Sequence, residues 1–238
     1  DLDASVVACA RNEAQLAALA GTSERISPVA ADLTTEAGRR ALLDAAGPLD
    51  GLVNDAGVGW VGLAADMPPA EIERIVALNV LAVLHLTVAS LGQLVPGGLI
   101  VNIGSVMGYV ASPPLTVYAA SKFAVHGFSE GLRREVGRRD IRVALVTPGP
   151  VRSAFFPRAV HRPGAATVPE FPMYAPQKVA AAVARAFQRP GWPGYRRIAV
   201  PRVAGLTRLG SIPGFDLVPD VVARVTRSGR LLRPDGPS

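Results

Sequence analysis

The sequence predicts an α/β fold in which one doubly wound parallel sheet carries helices on both faces. Short apolar runs of strand length alternate with segments of helical spacing along most of the chain. Those runs are apolar at nearly every position, as in strands covered on both sides. The third observation is that residues able to do chemistry stand just after the runs, where open parallel sheets bind their ligands.

Residues 4–10 form the first strand-length run, and residues 12–20 then place Leu16 and Leu19 at helical spacing. Ile26–Ala30 is the second strand, closed by Asp32. Residues 35–46 read as a helix that Gly47-Pro48 stops. The run at residues 49–53 leads into Asn54-Asp55-Ala56-Gly57. A long helix begins near Pro69 and is ended by Pro96-Gly97-Gly98, and residues 99–103 make the next strand. Ser105 lies in a loop, residues 118–138 form a helix, and residues 142–146 form a strand leading into Thr147-Pro148-Gly149. Arg11, Asp32, Asn54, Ser105 and Pro148-Gly149 therefore each follow a strand.

Beyond residue 150 the alternation weakens. Residues 152–176 carry Phe155, Phe156, Phe171 and Tyr174 among prolines, the composition of an apolar substrate loop or lid or of an ordinary packed connection. A helix over residues 176–188, a last strand at Tyr195–Val200 and a basic tail over residues 201–238 complete a single domain spanning residues 1–238.

Composition narrows the function classes. Net charge is +6, but only Lys122 and Lys178 among the 25 basic residues are lysine, and the arginines are scattered without interleaved aromatics. Nucleic-acid binding is not expected. Cys9 is the only cysteine, which excludes an internal disulfide and suits a reducing, cytoplasmic setting. His85 and His161 have no partner at ligand spacing, so no metal is assigned. No secretion-signal pattern follows Asp1. Residues 75–121 contain no charged side chain, but Asn79, His85, Thr87, Ser90 and Gln93 interrupt the apolar stretch. A helix covered by protein on most sides is expected there, not a membrane span.

The strongest chemical signal is Tyr118-Ala119-Ala120-Ser121-Lys122. On a helix the tyrosine and lysine lie one turn apart on one face, so an ammonium can stand near a phenol. Lowering a phenol from its usual pKa near 10 to roughly 7 or 8 takes about 3 to 4 kcal/mol of differential stabilisation, and a close lysine in a dry pocket supplies much of it. Ser105 lies thirteen residues before the tyrosine.

Together with Asn-Asp-Ala-Gly at 54–57, Asn79 within a helix, Ile103-Gly104-Ser105 and Pro148-Gly149-Pro150-Val151-Arg152-Ser153, these residues resemble the short-chain dehydrogenase/reductase family, from residue 4 to about 200. The resemblance implies a Rossmann-like domain and an oxidoreductase that interconverts an alcohol and a ketone or aldehyde. It implies that Tyr118 exchanges the proton and that Ser105 hydrogen-bonds the same substrate oxygen. Lys122 then binds the nicotinamide ribose and lowers the tyrosine pKa, while Asn79 holds a helix bend and a water. Asp32 and Leu33 match the adenine-contacting pair. Asn54, Ala56, Gly57, Tyr118, Lys122, Pro148, Gly149, Val151 and Ser153 complete the cofactor contacts. Asp55 replaces the usual second asparagine. Ala10 stands where an acidic residue grips a ribose 2′-OH and Arg11 follows, so NADP(H) is favoured over NAD(H).

The family's Gly-rich turn between first strand and first helix is not in this sequence. The expectation is a chain lacking roughly 25 to 35 N-terminal residues, about one βα unit. The alternative is a naturally shortened, catalytically silent relative that binds or scaffolds. An epimerase or dehydratase using the same Tyr/Lys pair is a third possibility, though those relatives carry a larger C-terminal domain. A homodimer or homotetramer is expected from the charge-free helix, with His126 in the helix contact, and a small apolar carbonyl or alcohol as substrate.

Overall fold

The computed structural model describes residues 3–161, 173–188 and 195–201. In order come β1 (Val6–Ala10), α1 (Glu13–Ala20), β2 (Ile26–Ala30), α2 (Glu36–Ala46), β3 (Leu49–Asn54), β4 (Trp60–Val61), α3 (Pro69–Val76) and α4 (Val83–Ser90). There follow β5 (Leu94–Ile103), α5 (Thr116–Val136), β6 (Arg142–Pro148), α6 (Phe155–Arg158), β7 (Val160–His161), α7 (Pro176–Phe187) and β8 (Tyr195–Val200). Asn12 and Thr35 stand just outside their helices as N-caps, accepting from Gln15 N–H at 2.9 Å and Gly38 N–H at 3.0 Å. Each satisfies an amide with no partner inside the helix.

Among the described residues, all the strand pairs are parallel. One four-stranded sheet has the order β3-β5-β6-β8, β1 pairs with β2, and the short β4 pairs with β7. Among the described residues no ladder joins β1 to β3.

The core explains why the strand sequences lack polar alternation. Successive side chains leave a strand on opposite faces, and here both faces are covered. Leu99, Val101, Ala144 and Val146 pack under Ala182 and Ala186 of α7, whereas Ile100 and Val143 pack under Leu132 and Val136 of α5. A buried aliphatic side chain contributes about 1.5–3 kcal/mol, so β5 and β6 anchor the fold.

Two expectations are corrected. β5 starts at Leu94, because Pro96-Gly97-Gly98 forms an irregularity inside the strand instead of a stop: Leu49 pairs with Leu94, then Gly51 with Leu99, and Gly97 takes φ 81°. The helical run Pro69–Ser90 is not covered on most sides, since only a third of its most apolar window is buried. Ile75, Ala82, Val83 and Leu86 face the core, while Ile72, Val76, Leu81 and Val88 face out. By length and composition alone the run is long and apolar enough to cross a membrane. Residues 162–172 of the expected substrate loop and 202–238 of the tail lie outside the described residues.

Candidate active site

The carboxyl end of the sheet gathers the chemistry-bearing residues. Tyr118 and Lys122 leave α5 one turn apart, with Lys122 Nζ 5.7 Å from the centroid of the tyrosine ring. Nζ donates to the Ile103 carbonyl at 2.9 Å, which fixes it against the end of β5. Ser105 follows with an extended backbone, its Oγ accepting from Met107 N–H at 3.1 Å and capping the short turn Val106–Gly108. The same hydroxyl stands close enough to the Tyr118 phenol to favour its ionised form.

Asn79 ties this group to the loop that follows β3. The chain between α3 and α4, Ala77–Ala82, is a π-helical turn, and such a turn displaces the helix face by one residue. That aims the Asn79 amide inward: Oδ1 accepts from Val58 N–H at 2.9 Å, and Nδ2 donates to Val58 C=O at 2.9 Å and Ser121 Oγ at 3.1 Å. A Cβ on Gly57 would come within 3.4 Å of Asn79 Oδ1 and 3.9 Å of Lys122 Nζ. Glycine there keeps the approach to the lysine clear.

An apolar wall completes the site. Val61, Met107, Leu115 and Ala159 pack with Tyr118, and the Phe155 ring lies 5.0 Å from the tyrosine ring. Burial pushes the phenol up to about 12; the Ser105 hydrogen bond opposes the rise and the Asp55 carboxylate adds to it. Burial also pushes Lys122 down to about 8, against the pull of Asp55. The expected acidification of Tyr118 by Lys122 is therefore not found. Nζ is directed to a carbonyl, and desolvation is the largest influence on each of the two groups.

A cavity of about 360 Å³ opens at the ends of β1 and β2, lined in part by Arg11, Asp32, Thr34, Val58, Ala77 and Leu78. Asp32 accepts from the Thr34 hydroxyl at 2.7 Å and its N–H at 2.9 Å, and these bonds, with Arg11 beyond, hold its carboxyl below the usual range. Val58 belongs both to this cavity and to the Asn79 clamp. The cavity and the Tyr118 site thus share a wall.

The sequence profile of the short chain dehydrogenase family matches residues 1–163. The chain belongs to that family. It is 38% identical over 139 residues to a 3alpha-hydroxysteroid dehydrogenase of Mediterraneibacter gnavus, covering 56% of this chain and 56% of that protein. The chain spans about half the length of the curated relatives it matches. Among solved structures, a short-chain dehydrogenase from Sphingobium yanoikuyae in complex with NADPH superposes with a TM-score of 0.68 at 25% identity, over 98% of this chain and 88% of that one. A 3-ketoacyl-(acyl-carrier-protein) reductase from Brucella melitensis complexed with NADH gives 0.70 at 25% identity, over 82% and 86%.

Within this family fold the remaining candidate residues take the following places, and His126 departs from expectation. Asn54 turns its side chain away from the cleft, its Nδ2 donating to Thr87 Oγ1 at 2.9 Å and Asn102 Oδ1 at 2.8 Å, and Asn102 in turn donates to Ser129 Oγ at 2.8 Å. This buried polar chain was not read from the sequence, because its members come from four separate elements. Leu33 packs against the cluster of Leu42, Leu43, Leu52 and Leu86 instead of lining the cavity. Pro148 ends β6, Gly149 N–H bonds to Val200 C=O at 2.8 Å, and Val151 bridges to Tyr174. Ser153 Oγ accepts from Phe155 N–H at 3.2 Å. Ala56 follows β3 beside Gly57 and is exposed. His126, expected in an outward helix contact, is buried behind Ser105. The reason is its spacing: it follows Lys122 by four residues and shares the inward stripe of α5.

Proposed function

We propose that this protein is an NADP(H)-dependent oxidoreductase interconverting an alcohol and a ketone or aldehyde. The reading is carried by one observation, the Tyr118 phenol beside Ser105 with Lys122 one turn away in a dry apolar site at the carboxyl end of a parallel sheet. Raised to about 12, the phenol is protonated at neutral pH and is set to donate. Tyr118 gives its proton to the substrate oxygen while Ser105 steadies the charge that develops there. The apolar wall of Val61, Met107, Leu115 and Phe155 excludes water and favours an apolar substrate.

The two ends of a pyridine dinucleotide have candidate partners among the residues present, whereas the Gly-rich turn that takes the pyrophosphate in the family is not among them. Arg11 offers a cation at the cavity, where it suits a 2′-phosphate, and Asp32 stands beside it. The side-chain-free strip at Gly57 leads from Val58 towards Lys122 Nζ, which can bond ribose hydroxyls. When bound, the cofactor supplies the hydride exchanged at the carbonyl carbon. The outward Ile72, Val76, Leu81 and Val88, with Phe123 of α5, form the apolar face assigned to a second copy of the chain. A sedimentation run showing only monomer would remove that assignment.

The test is NADPH oxidation by the purified protein with a panel of apolar ketones and aldehydes. Turnover is expected with at least one, and Tyr118→Phe should abolish nearly all of it while leaving NADPH affinity within a few-fold. Comparable turnover by the variant refutes the role of Tyr118. NADPH binding without turnover on any substrate favours the silent binding relative instead.

A further inference from the structure

His126 takes no part in the chemistry above, yet it lies directly beneath it. Only 8% exposed, its imidazole stands with Nε2 3.4 Å from the Ser105 N–H, which donates to it. Two glycines make the space. A Cβ on Gly104 would fall 2.4 Å from Nε2, and one on Gly108 would fall 2.4 Å from Cε1 and Nε2, so any side chain at either position would displace the ring. The turn itself is held by Gly108 N–H to Ser105 C=O at 2.9 Å and Tyr109 N–H to Val106 C=O at 3.0 Å, and the Tyr109 ring meets the imidazole edge-on at 4.5 Å. The residue whose hydroxyl stands beside the Tyr118 phenol is thus held through its amide by a buried imidazole.

We propose that His126 is a positioning residue for the reaction, setting the placement of the Ser105 hydroxyl against Tyr118 through the Ser105 amide. The inference rests on the oxidoreductase reading for its effect on turnover, but not for the contact itself. Nε2 accepts only when it carries no proton, so the neutral Nδ1–H tautomer is the working form. Protonation puts a second N–H against the Ser105 N–H, and the loop must shift. The charged and titratable groups around the ring are Lys122 and Glu130, one turn either side on α5, Tyr109 from the turn, and Arg197 of β8, which lies 5.9 Å from the Tyr109 ring and pairs with Glu130 at 2.9 Å.

The experiment compares His126→Leu, which fills the space without an acceptor, with His126→Gln, whose Oε1 reaches about as far as Nε2. Expected for His126→Leu is a loss of kcat of at least tenfold with NADPH affinity within twofold, and for His126→Gln a kcat within threefold of the parent that no longer declines on the acid side. Equal losses in both variants, or no loss in His126→Leu, overturn the proposal. Because the protein can lack turnover for other reasons, the contact is also read without catalysis. In ¹⁵N-labelled protein the Ser105 amide shift should titrate with the midpoint of the His126 ring nitrogens, and a Ser105 amide that stays constant through that midpoint overturns the proposal whether or not the protein is a reductase.

Discussion

Replacing Lys122 with methionine should flatten part of the pH dependence of stability. Lys122 is only 6% exposed, so its ammonium is held in the fold with little screening. Its pKa falls from the ordinary 10.5 to about 8, mainly through burial. At about 1.4 kcal/mol for each tenfold change in proton affinity, the folded protein carries a penalty of about 3 kcal/mol for keeping the lysine charged. The sign follows from linkage. Between about pH 8 and 10.5 the unfolded chain binds the proton more tightly, so stability rises with pH across that window, and below pH 8 the full penalty applies. Methionine has similar length and no charge, and its cost is the lost hydrogen bond to the Ile103 carbonyl, about 1–3 kcal/mol at every pH. Urea unfolding of both proteins at about pH 7, 8.5, 9.5 and 10.5 gives the difference. The parent should gain about 3 kcal/mol relative to Lys122→Met from the first pH to the last. Tyr118, whose rise from 10 to about 12 makes stability fall with pH in that higher range, is common to both and cancels. Curves that stay parallel within about 1 kcal/mol would show that the lysine is not buried as a charge, and the electrostatic reading of the site would fall with it.

Further expectations concern its neighbours. Asp55→Asn removes the carboxylate that raises both Tyr118 and Lys122, so the alkaline decline of carbonyl reduction, set by loss of the phenolic proton, should begin at lower pH in a pH–rate profile; an unmoved limb refutes the coupling. Asn79→Ala leaves both backbone groups of Val58 without their partner and should cost about 2–4 kcal/mol in chemical denaturation, and a loss below about 1 kcal/mol would mean that the π-helical turn is held by other contacts. Arg11→Ala should weaken NADPH binding roughly tenfold while leaving NADH binding unchanged in a fluorescence titration, and equal losses for both nucleotides would detach Arg11 from the 2′-phosphate.

Much of the architecture could be read before any coordinates, because it depends on neighbours along the chain. The nearly continuous apolar runs at residues 99–103 and 142–146 and the four-residue step from Tyr118 to Lys122 are properties of consecutive residues, and the structure has strands over both runs and a helix over the step. Other features needed residues that are distant in sequence. The direction of the tyrosine pKa depends on Val61, Leu115, Ala159 and Phe155 closing over one phenol, and no local pattern announces that they meet. His126 was misread for the same reason, since burial behind Ser105 requires Gly104 and Gly108 to leave room from another element.

Local sequence determined the alternation of strands and helices, the strand ends that carry the reactive groups, and the one-turn spacing of phenol and ammonium, all properties of a few consecutive residues. Tertiary structure alone decided how dry the site is, which way the lysine points, and what stands behind the serine. Desolvation is a sum over everything that covers a group, and the parts of that sum come from all along the chain.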